Sequence, residues 1–309
     1  MFPFLRNFLQ QMNSASMKLG LESYQKEKVK LWRKLNKRNP NLSDPTTFSE
    51  KLLKRCMFCK DPYYYLYGTK INAPFFLQSC FPNTVKTIKR LGVYKTITPS
   101  LLLNLPSESF ILKSSWGSGV NFIVNDKYNC NLDKICSEIN KKSSLIKNSH
   151  KYQDPYNCIV AEELIGNVGE AIDDFKFHCI RDVEQNNKIV VQHYTRMSDG
   201  ARRQKAYDIN FEKLGYSISK FEEYEENFPK PRLFEKAVNI AHHLSRGFDY
   251  IRVDLYILED EIYFGEYTPY HAGGITKVTS EKHDEILGKH WLYREISFDP
   301  TAKTGKLIE

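Results

Sequence analysis

The sequence contains no GKS or GKT element, so it has no Walker A loop with which to cradle a triphosphate. It also lacks a second CxxC pair to set beside Cys56 and Cys59, and its seven cysteines are odd in number. That combination argues against a structural zinc and against a disulfide framework; reduced thiols of a cytoplasmic protein are the expectation. There is no long basic tract and no nucleic-acid recognition motif, although the formal charge is +8. The excess is scattered in clusters such as Lys26 with Lys28 and Arg202 with Arg203, which favours an anionic ligand or a membrane surface over nucleic acid. No transmembrane segment is expected either. The opening MFPFLRNFLQQM is too short and too polar for a signal peptide or a spanning helix. Packing of that stretch against the body is expected ahead of peripheral association with the inner face of the membrane as a short amphipathic helix.

What the chain does have is core material. Its 309 residues are 41% hydrophobic and 13% aromatic, enough for one large domain or two intimately packed ones. A charged helical pattern runs from Ser23 to Leu35, and Thr47 or Ser49 is placed to cap a second helix that Glu50 and Lys51 begin. A further helix is expected from about Lys70 to Ser79. The run FILKSSWGSGVNFIV reads as strand, loop, strand: Lys113 closes an apolar run, and Gly117 and Gly119 let the backbone approach a ligand and offer N–H groups to phosphate oxygens. After a helix over 132–148, CIVAEELI gives a buried strand over 158–161 that ends in Glu162 and Glu163. DDFKFHCIRD follows with Phe175, Phe177 and Cys179 on one face and Asp174, Lys176 and His178 on the other. Another strand, KIVVQHYTRM, leads to a basic loop with Arg202, Arg203 and Lys205. Pro231 is expected to open a helix with Ala237, Ile240, Ala241 and Leu244 as its apolar stripe, ended by Gly247. His242 and His243 lack metal-ligand spacing.

The stretch IRVDLYILEDEIYFGEYTPYHAGG, from Ile251 to Gly274, carries the strongest chemical signal. Asp254 lies on one alternating apolar run and Glu266 on another, joined by an acidic link, which reads as a β-hairpin. If the register aligns them, Arg252, Asp254 and Glu266 converge. Carboxylates that close together stay ionised only around a cation, and hard oxygen donors suit Mg²⁺ bridging nucleotide phosphates. A surface hairpin with ordinary exposed charges is the competing reading of this stretch alone.

In order and spacing, TFSEK at 47–51, Lys70, FILKSSWGSG at 110–119, VAEELI at 160–165, DFK at 174–176, IRVDLY at 251–256, FGEYT at 264–268 and AGG at 272–274 resemble the TupA-like ATP-grasp proteins of bacterial surface-polysaccharide clusters. The resemblance covers about residues 47–291. It implies an α+β ATP-grasp fold of two α/β lobes enclosing a nucleotide cleft. An N-terminal helical region would occupy 1–68 and the ATP-grasp region 69–309, with a flexible-loop lobe near 107–165 and a metal-binding lobe near 166–290. It also implies ATP and Mg²⁺ as cofactors, Asp254 and Glu266 as metal ligands, and Arg252, Lys113 and Lys176 as catalytic cations. Nucleotide contacts would come from Lys70, Lys113, Ser115, Gly117, Ser118, Gly119, Glu162, Glu163, Leu164, Ile165 and Lys176. Thr268 stands where many such enzymes carry a second metal-binding asparagine. The implied activity is carboxylate–amine ligation through an acyl phosphate, joining an amino acid or amine to a uronic acid or peptide of a polysaccharide or lipid-linked glycan. A kinase acting on a sugar or polysaccharide acceptor is the alternative.

Overall fold

The computed structural model describes residues 15–59, 61, 63–115, 120–146, 158–166, 172–196, 201–296, 298–299 and 307. The opening stretch over 1–14 and the glycine-bearing loop with Gly117, Ser118 and Gly119 lie outside the described residues.

Three helices lead in: α1 (Ala15–Asn36), α2 (Phe48–Phe58) and the single turn α3 (Tyr64–Tyr67). Thr47 caps α2 by accepting from Glu50 N while the Glu50 carboxylate reaches back to the Thr47 N–H, so two otherwise orphaned donors are satisfied reciprocally. Next come α4 (Ala73–Cys80), β1 (Lys86–Thr87), β2 (Arg90–Tyr94), α5 (Pro99–Leu103), β3 (Phe110–Ser114), β4 (Asn121–Val124), α6 (Leu132–Ile146) and β5 (Ile159–Glu163). The rest is β6 (Asp174–Arg181), β7 (Asn187–Arg196), β8 (Arg202–Tyr207), α7 (Phe234–Leu244), β9 (Tyr250–Ile257), β10 (Ile262–Thr268), a 3₁₀ turn (His271–Gly274) and α8 (Glu281–His290).

Two sheets result. The larger has the order β1-β10-β9-β6-β7-β8, and the smaller β2-β5-β3-β4. Every pairing is antiparallel except β1 with β10. The smaller sheet recruits β2, so it draws on chain well upstream of residue 107.

Alternation explains the core of the larger sheet. Phe175, Phe177, Val253 and Leu255 all point to one face, where Phe234, Ala237 and Ala241 of α7 and Phe76 of α4 cover them. Each large apolar side chain buried there contributes about 1.5–3 kcal/mol. The opposite face is apolar only at one end, where Ile180, Val190 and Tyr250 pack against Phe48 and Leu52 of α2, Leu287 of α8, and Trp291. Farther along the same strands that face becomes polar, and there the site forms.

Three local expectations are corrected. The helix placed at Lys70 starts at Ala73, with Pro74 in its first turn, so Lys70 sits in the preceding turn. The α7 helix begins at Phe234, three residues after Pro231. The basic segment with Arg202, Arg203 and Lys205 is a strand, β8, because β7 has an unpaired edge that it satisfies. Its polar side chains find partners there: Gln204 Oε1 accepts from Gln192, and Lys205 Nζ donates to the Glu226 carbonyl at 2.8 Å.

Candidate functional site

The floor of the site is a two-row grid on the polar face of β10, β9 and β6. Glu266, Asp254 and Lys176 are direct register partners in one row; Thr268, Arg252 and His178 are partners in the next. Asp254 and Arg252 fall on this face by simple alternation with buried Val253 and Leu255. Glu266 does not. Alternation would give it the face of Ile262 and Phe264, both in the core, but the ladder shifts between Phe264 and Glu266 at Gly265. That bulge inserts one residue and turns Glu266 and Thr268 onto the site face. A Cβ at Gly265 would come within 3.1 Å of the Tyr256 ring and 3.2 Å of the Asp254 carbonyl, so a larger residue in the bulge would press on the neighbouring strand β9.

Charge dominates the grid. Arg252 Nε donates to Asp254 Oδ1 and its Nη2 to Asp254 Oδ2, each at 2.6 Å, and Nη2 also donates to Glu266 Oε1 at 2.8 Å. Lys176 Nζ lies 2.6 Å from both Asp254 Oδ2 and Asp174 Oδ2, and Arg202 Nη2 reaches Asp174 at 3.0 Å. Burial works against the Lys176 ammonium, yet Asp174 and Asp254 outweigh it and hold the pKa above the usual lysine value. Arg252 shows the same balance: burial disfavours its charge, and Asp254 and Glu266 more than restore it.

The smaller sheet supplies the facing wall. Lys113, at the end of β3, donates to Glu162 Oε2 on β5 at 2.8 Å, and both side chains are buried. Ser115 continues the strand: its N–H donates to the Cys158 carbonyl and its Oγ accepts from the Cys158 N–H. The Lys70 N–H donates to the Ser115 carbonyl at 3.3 Å, which ties the turn before α4 to this wall. Lys70 Nζ then lies 3.8 Å from Glu266 Oε2, across the cleft. Burial, with Lys113 close by, pushes the Lys70 ammonium below the usual lysine range, against the pull of Glu266.

Lys70, Lys113, Glu162, Arg252, Glu266 and Thr268 therefore line one cleft of about 260 Å³, which Ser115 also borders and which Tyr64, Tyr67 and Tyr270 close on the far side. Asp254 and Lys176 sit beneath it, joined through Arg252. Glu163 is directed elsewhere and pairs with Lys89 at 2.6 Å; Leu164 and Ile165 follow β5 outside the lining. Glu162, read from the sequence as a ribose or adenine contact, has its carboxylate engaged by Lys113.

Three participants stand outside the site set that the resemblance implies. Asp174 and Arg202 extend the ion network on the β6 and β8 side. His271 accepts from Arg252 Nη1 at 2.7 Å through Nδ1. The only prior signal for Asp174 is its alternation with Lys176; His271 has none, being a lone histidine in a turn.

The donor set suits a hard divalent cation. Asp254 and Glu266 offer carboxylate oxygens that share one guanidinium nitrogen, and Asp254 Oδ1 and Glu266 Oε2 retain lone pairs for a metal. Among the described residues no group of three or more His, Cys, Asp or Glu side chains forms a ready cation cage. Two protein carboxylates with the remainder from phosphate and water is the manner in which Mg²⁺ is held beside nucleotides.

No curated protein matches the chain. Among solved structures, the ATP-grasp ligase PsnB, complexed with a phosphomimetic variant of its minimal precursor, Mg and ADP, is 11% identical; the match covers 64% of this chain and 49% of that one, with a TM-score of 0.35. The D-alanine-D-alanine ligase from Helicobacter pylori is 14% identical over 74% of this chain and 60% of its own, with a TM-score of 0.39. Phosphoribosylglycinamide synthetase from Anaerococcus prevotii is 12% identical over 71% and 49%, with a TM-score of 0.29. The chain thus spans about half the length of the first of these structures. The profile of the TupA-like ATPgrasp family matches residues 50–292, from α2 through the end of α8, and by that match the chain belongs to the TupA-like ATPgrasp family.

Proposed function

We propose that the chain is an ATP-dependent carboxylate–amine ligase that works through an acyl phosphate, joining an amine or amino acid to a carboxylate such as a uronic acid or a peptide acid of a bacterial surface glycan. One observation carries this reading: Lys70 from the turn before α4 and Lys113, Arg252 and Glu266 from three strands of two sheets line a single cleft. In this reading the smaller sheet covers the nucleotide, with Glu162 of β5 facing it from the lining. Asp254 and Glu266 hold Mg²⁺, which when bound neutralises the charge that spreads over a transferring phosphoryl group.

The chain's own residues do the rest. Lys113 and Lys70 face the phosphates from the wall and Arg252 from the floor, as point charges and a planar fork respectively. Because Arg252 is clamped by Asp254 and Glu266 in advance, it need not reorganise as charge develops, and such preorganisation is the largest usual source of rate. Lys176 donates to Asp254 from below and so sets a cation beside that buried carboxylate. Carboxylate activation by phosphate needs no protein nucleophile. The acid and the amine would share the same cleft, against its tyrosine-lined side. Work at the inner face of the cytoplasmic membrane belongs to the same reading, since glycan intermediates are lipid-linked; among the described residues no helix is long and apolar enough to cross a membrane.

The test is hydroxylamine trapping. With Mg²⁺-ATP and a panel of uronic acids and amino acids, a hydroxamate should form that depends on both ATP and the acid. Stable phosphorylation of a sugar hydroxyl without any amine would replace the ligase with a kinase on the same scaffold, and no nucleotide turnover under any condition would remove both.

A further inference from the structure

Arg252 is held by more than its two carboxylates. Four of its five N–H groups are spent on protein acceptors: Nε on Asp254, Nη2 on Asp254 and Glu266, and Nη1 on His271 Nδ1 at 2.7 Å. Among the described residues the second Nη1 hydrogen has no acceptor, and Arg252 borders the cleft. His271 is itself fixed at both nitrogens. Its Nε2 lies 2.9 Å from the Ile218 carbonyl, which only accepts, so Nε2 carries the proton; the guanidinium only donates, so Nδ1 is bare. No other tautomer satisfies both partners, and an imidazolium would set two donors against each other. The ring is buried and lies edge-on to His178 at 4.8 Å, which blocks it from swinging aside. His178 is locked in turn by Gln192 at 2.6 Å and by the Tyr250 hydroxyl at 3.1 Å. His271 also opens the turn whose next residues, Ala272 and Gly273, have positive φ and line the cleft.

We infer that His271 is a positioning residue: as a neutral, Nε2-protonated acceptor it sets the plane of the Arg252 guanidinium and aims the remaining Nη1 hydrogen at the phosphoryl group of the nucleotide. This rests on the proposed nucleotide cleft. Two variants separate the two hydrogen bonds, since asparagine places its amide oxygen near the Nδ1 position and glutamine places its amide near Nε2. In the full chain, calorimetry with Mg–AMPPNP should find His271→Asn within about twofold of the wild type and His271→Gln about tenfold weaker, the loss of one charge-assisted hydrogen bond. Both variants should keep their secondary structure by circular dichroism. A long-range ¹⁵N–¹H spectrum of the wild type should show one ring, absent in His271→Asn, as the pure Nε2–H tautomer. Equal affinities in the two variants, or an Nδ1–H or charged ring in that spectrum, would overturn the inference while leaving the ligase reading in place. A wild-type chain that does not bind Mg–AMPPNP sinks the cleft assignment itself and this role with it.

Discussion

Two buried arginine–aspartate pairs flank the start of β9, and they are built to opposite ends. Arg55, from α2, forks onto Asp249 just before the strand, with Nη1 at 2.7 Å from Oδ1 and Nη2 on Oδ2. The remaining capacity of Asp249 is filled by the Tyr250 and Arg294 N–H groups and by Trp291 Nε1, while the guanidinium is sandwiched over the Trp291 and Tyr293 rings. Arg55 and Asp249 are each completely shielded from solvent. Arg252 forks onto Asp254 side-on, through Nε and Nη2 rather than the two Nη atoms, and its second carboxylate, Glu266, is 34% exposed and faces a cleft holding two more lysines. In the first pair the acid is saturated and faces no cavity, although Arg55 Nε is buried without an acceptor among the described residues, and the pair pins the helical region to the sheet. The second has an excess of cations and an open side. Chemistry alone does not mark a site; unspent capacity beside a cavity does.

The comparison is broken most severely at the closed pair. Arg55→Ala strands Asp249 as an uncompensated buried charge, and the loss of stability should be about 3–5 kcal/mol. Urea unfolding followed by tryptophan fluorescence reads this directly, and a shift below about 1 kcal/mol would show that the pair is dispensable. Next in size is Glu266→Gln, with Asp254→Asn beside it. Turnover should fall by at least about a hundredfold, as for removal of one preorganised electrostatic group. The urea midpoint of Glu266→Gln should barely move, because the group is part-exposed. Retained turnover in either variant would take that residue out of the metal site.

Most of this contrast lies beyond what a one-dimensional pattern conveys. The alternation of DDFKFHCIRD and IRVDLYI is visible as written, and it places Asp174, Lys176, Arg252 and Asp254 on a common face. Lys113 has a weak local signal, closing an apolar run before a glycine-bearing loop, whereas family likeness alone supplies Lys70, which nothing nearby in sequence distinguishes from a solvated lysine. Glu266 reaches the site face through a bulge at Gly265, and a period-two pattern contains no information about where it slips. β8 looks like a basic loop because its charges are partnered by carbonyls and rings far away in sequence. The contrast between Asp249 and Asp254 is hidden for the same reason: which acid is saturated depends on Trp291 and Arg294, about forty residues downstream.

Acid offers a third handle, most strongly through the two histidines buried beneath the open side. Burial pushes His178 and His271 well below the ordinary histidine value, helped by the nearby Arg252 charge, so both stay neutral in the folded chain. The unfolded chain binds a proton on each near that ordinary value. It therefore holds more protons in acid, and stability is fully present above the ordinary histidine pKa and lost as pH falls through it. The slope is up to about 1.4 kcal/mol per pH unit for each ring. Urea midpoints at neutral pH and near pH 5 measure it, and His178→Gln should flatten the fall relative to wild type. An equally steep fall in that variant would place the acid sensitivity elsewhere.

Lys113 and Glu162 fall between the two extremes and sharpen the comparison most finely. Like Arg55 with Asp249 they are a buried pair, 2.8 Å apart; like Arg252 with Glu266 they line the cleft. Lys113→Met alone confuses the two roles, because it removes a nucleotide-facing charge and also leaves Glu162 buried and unpaired. Adding Glu162→Gln removes the stranded charge. If the pair only holds β3 to β5, the double variant regains both stability and Mg²⁺-ATP affinity. If Lys113 faces phosphate, stability returns while affinity stays about tenfold weaker, one charge-assisted contact short. We expect the second outcome, with the midpoint of the double variant above that of Lys113→Met. Wild-type affinity in the double variant would class this pair with Arg55 and Asp249, and would strip the cleft of the cation assigned to β3.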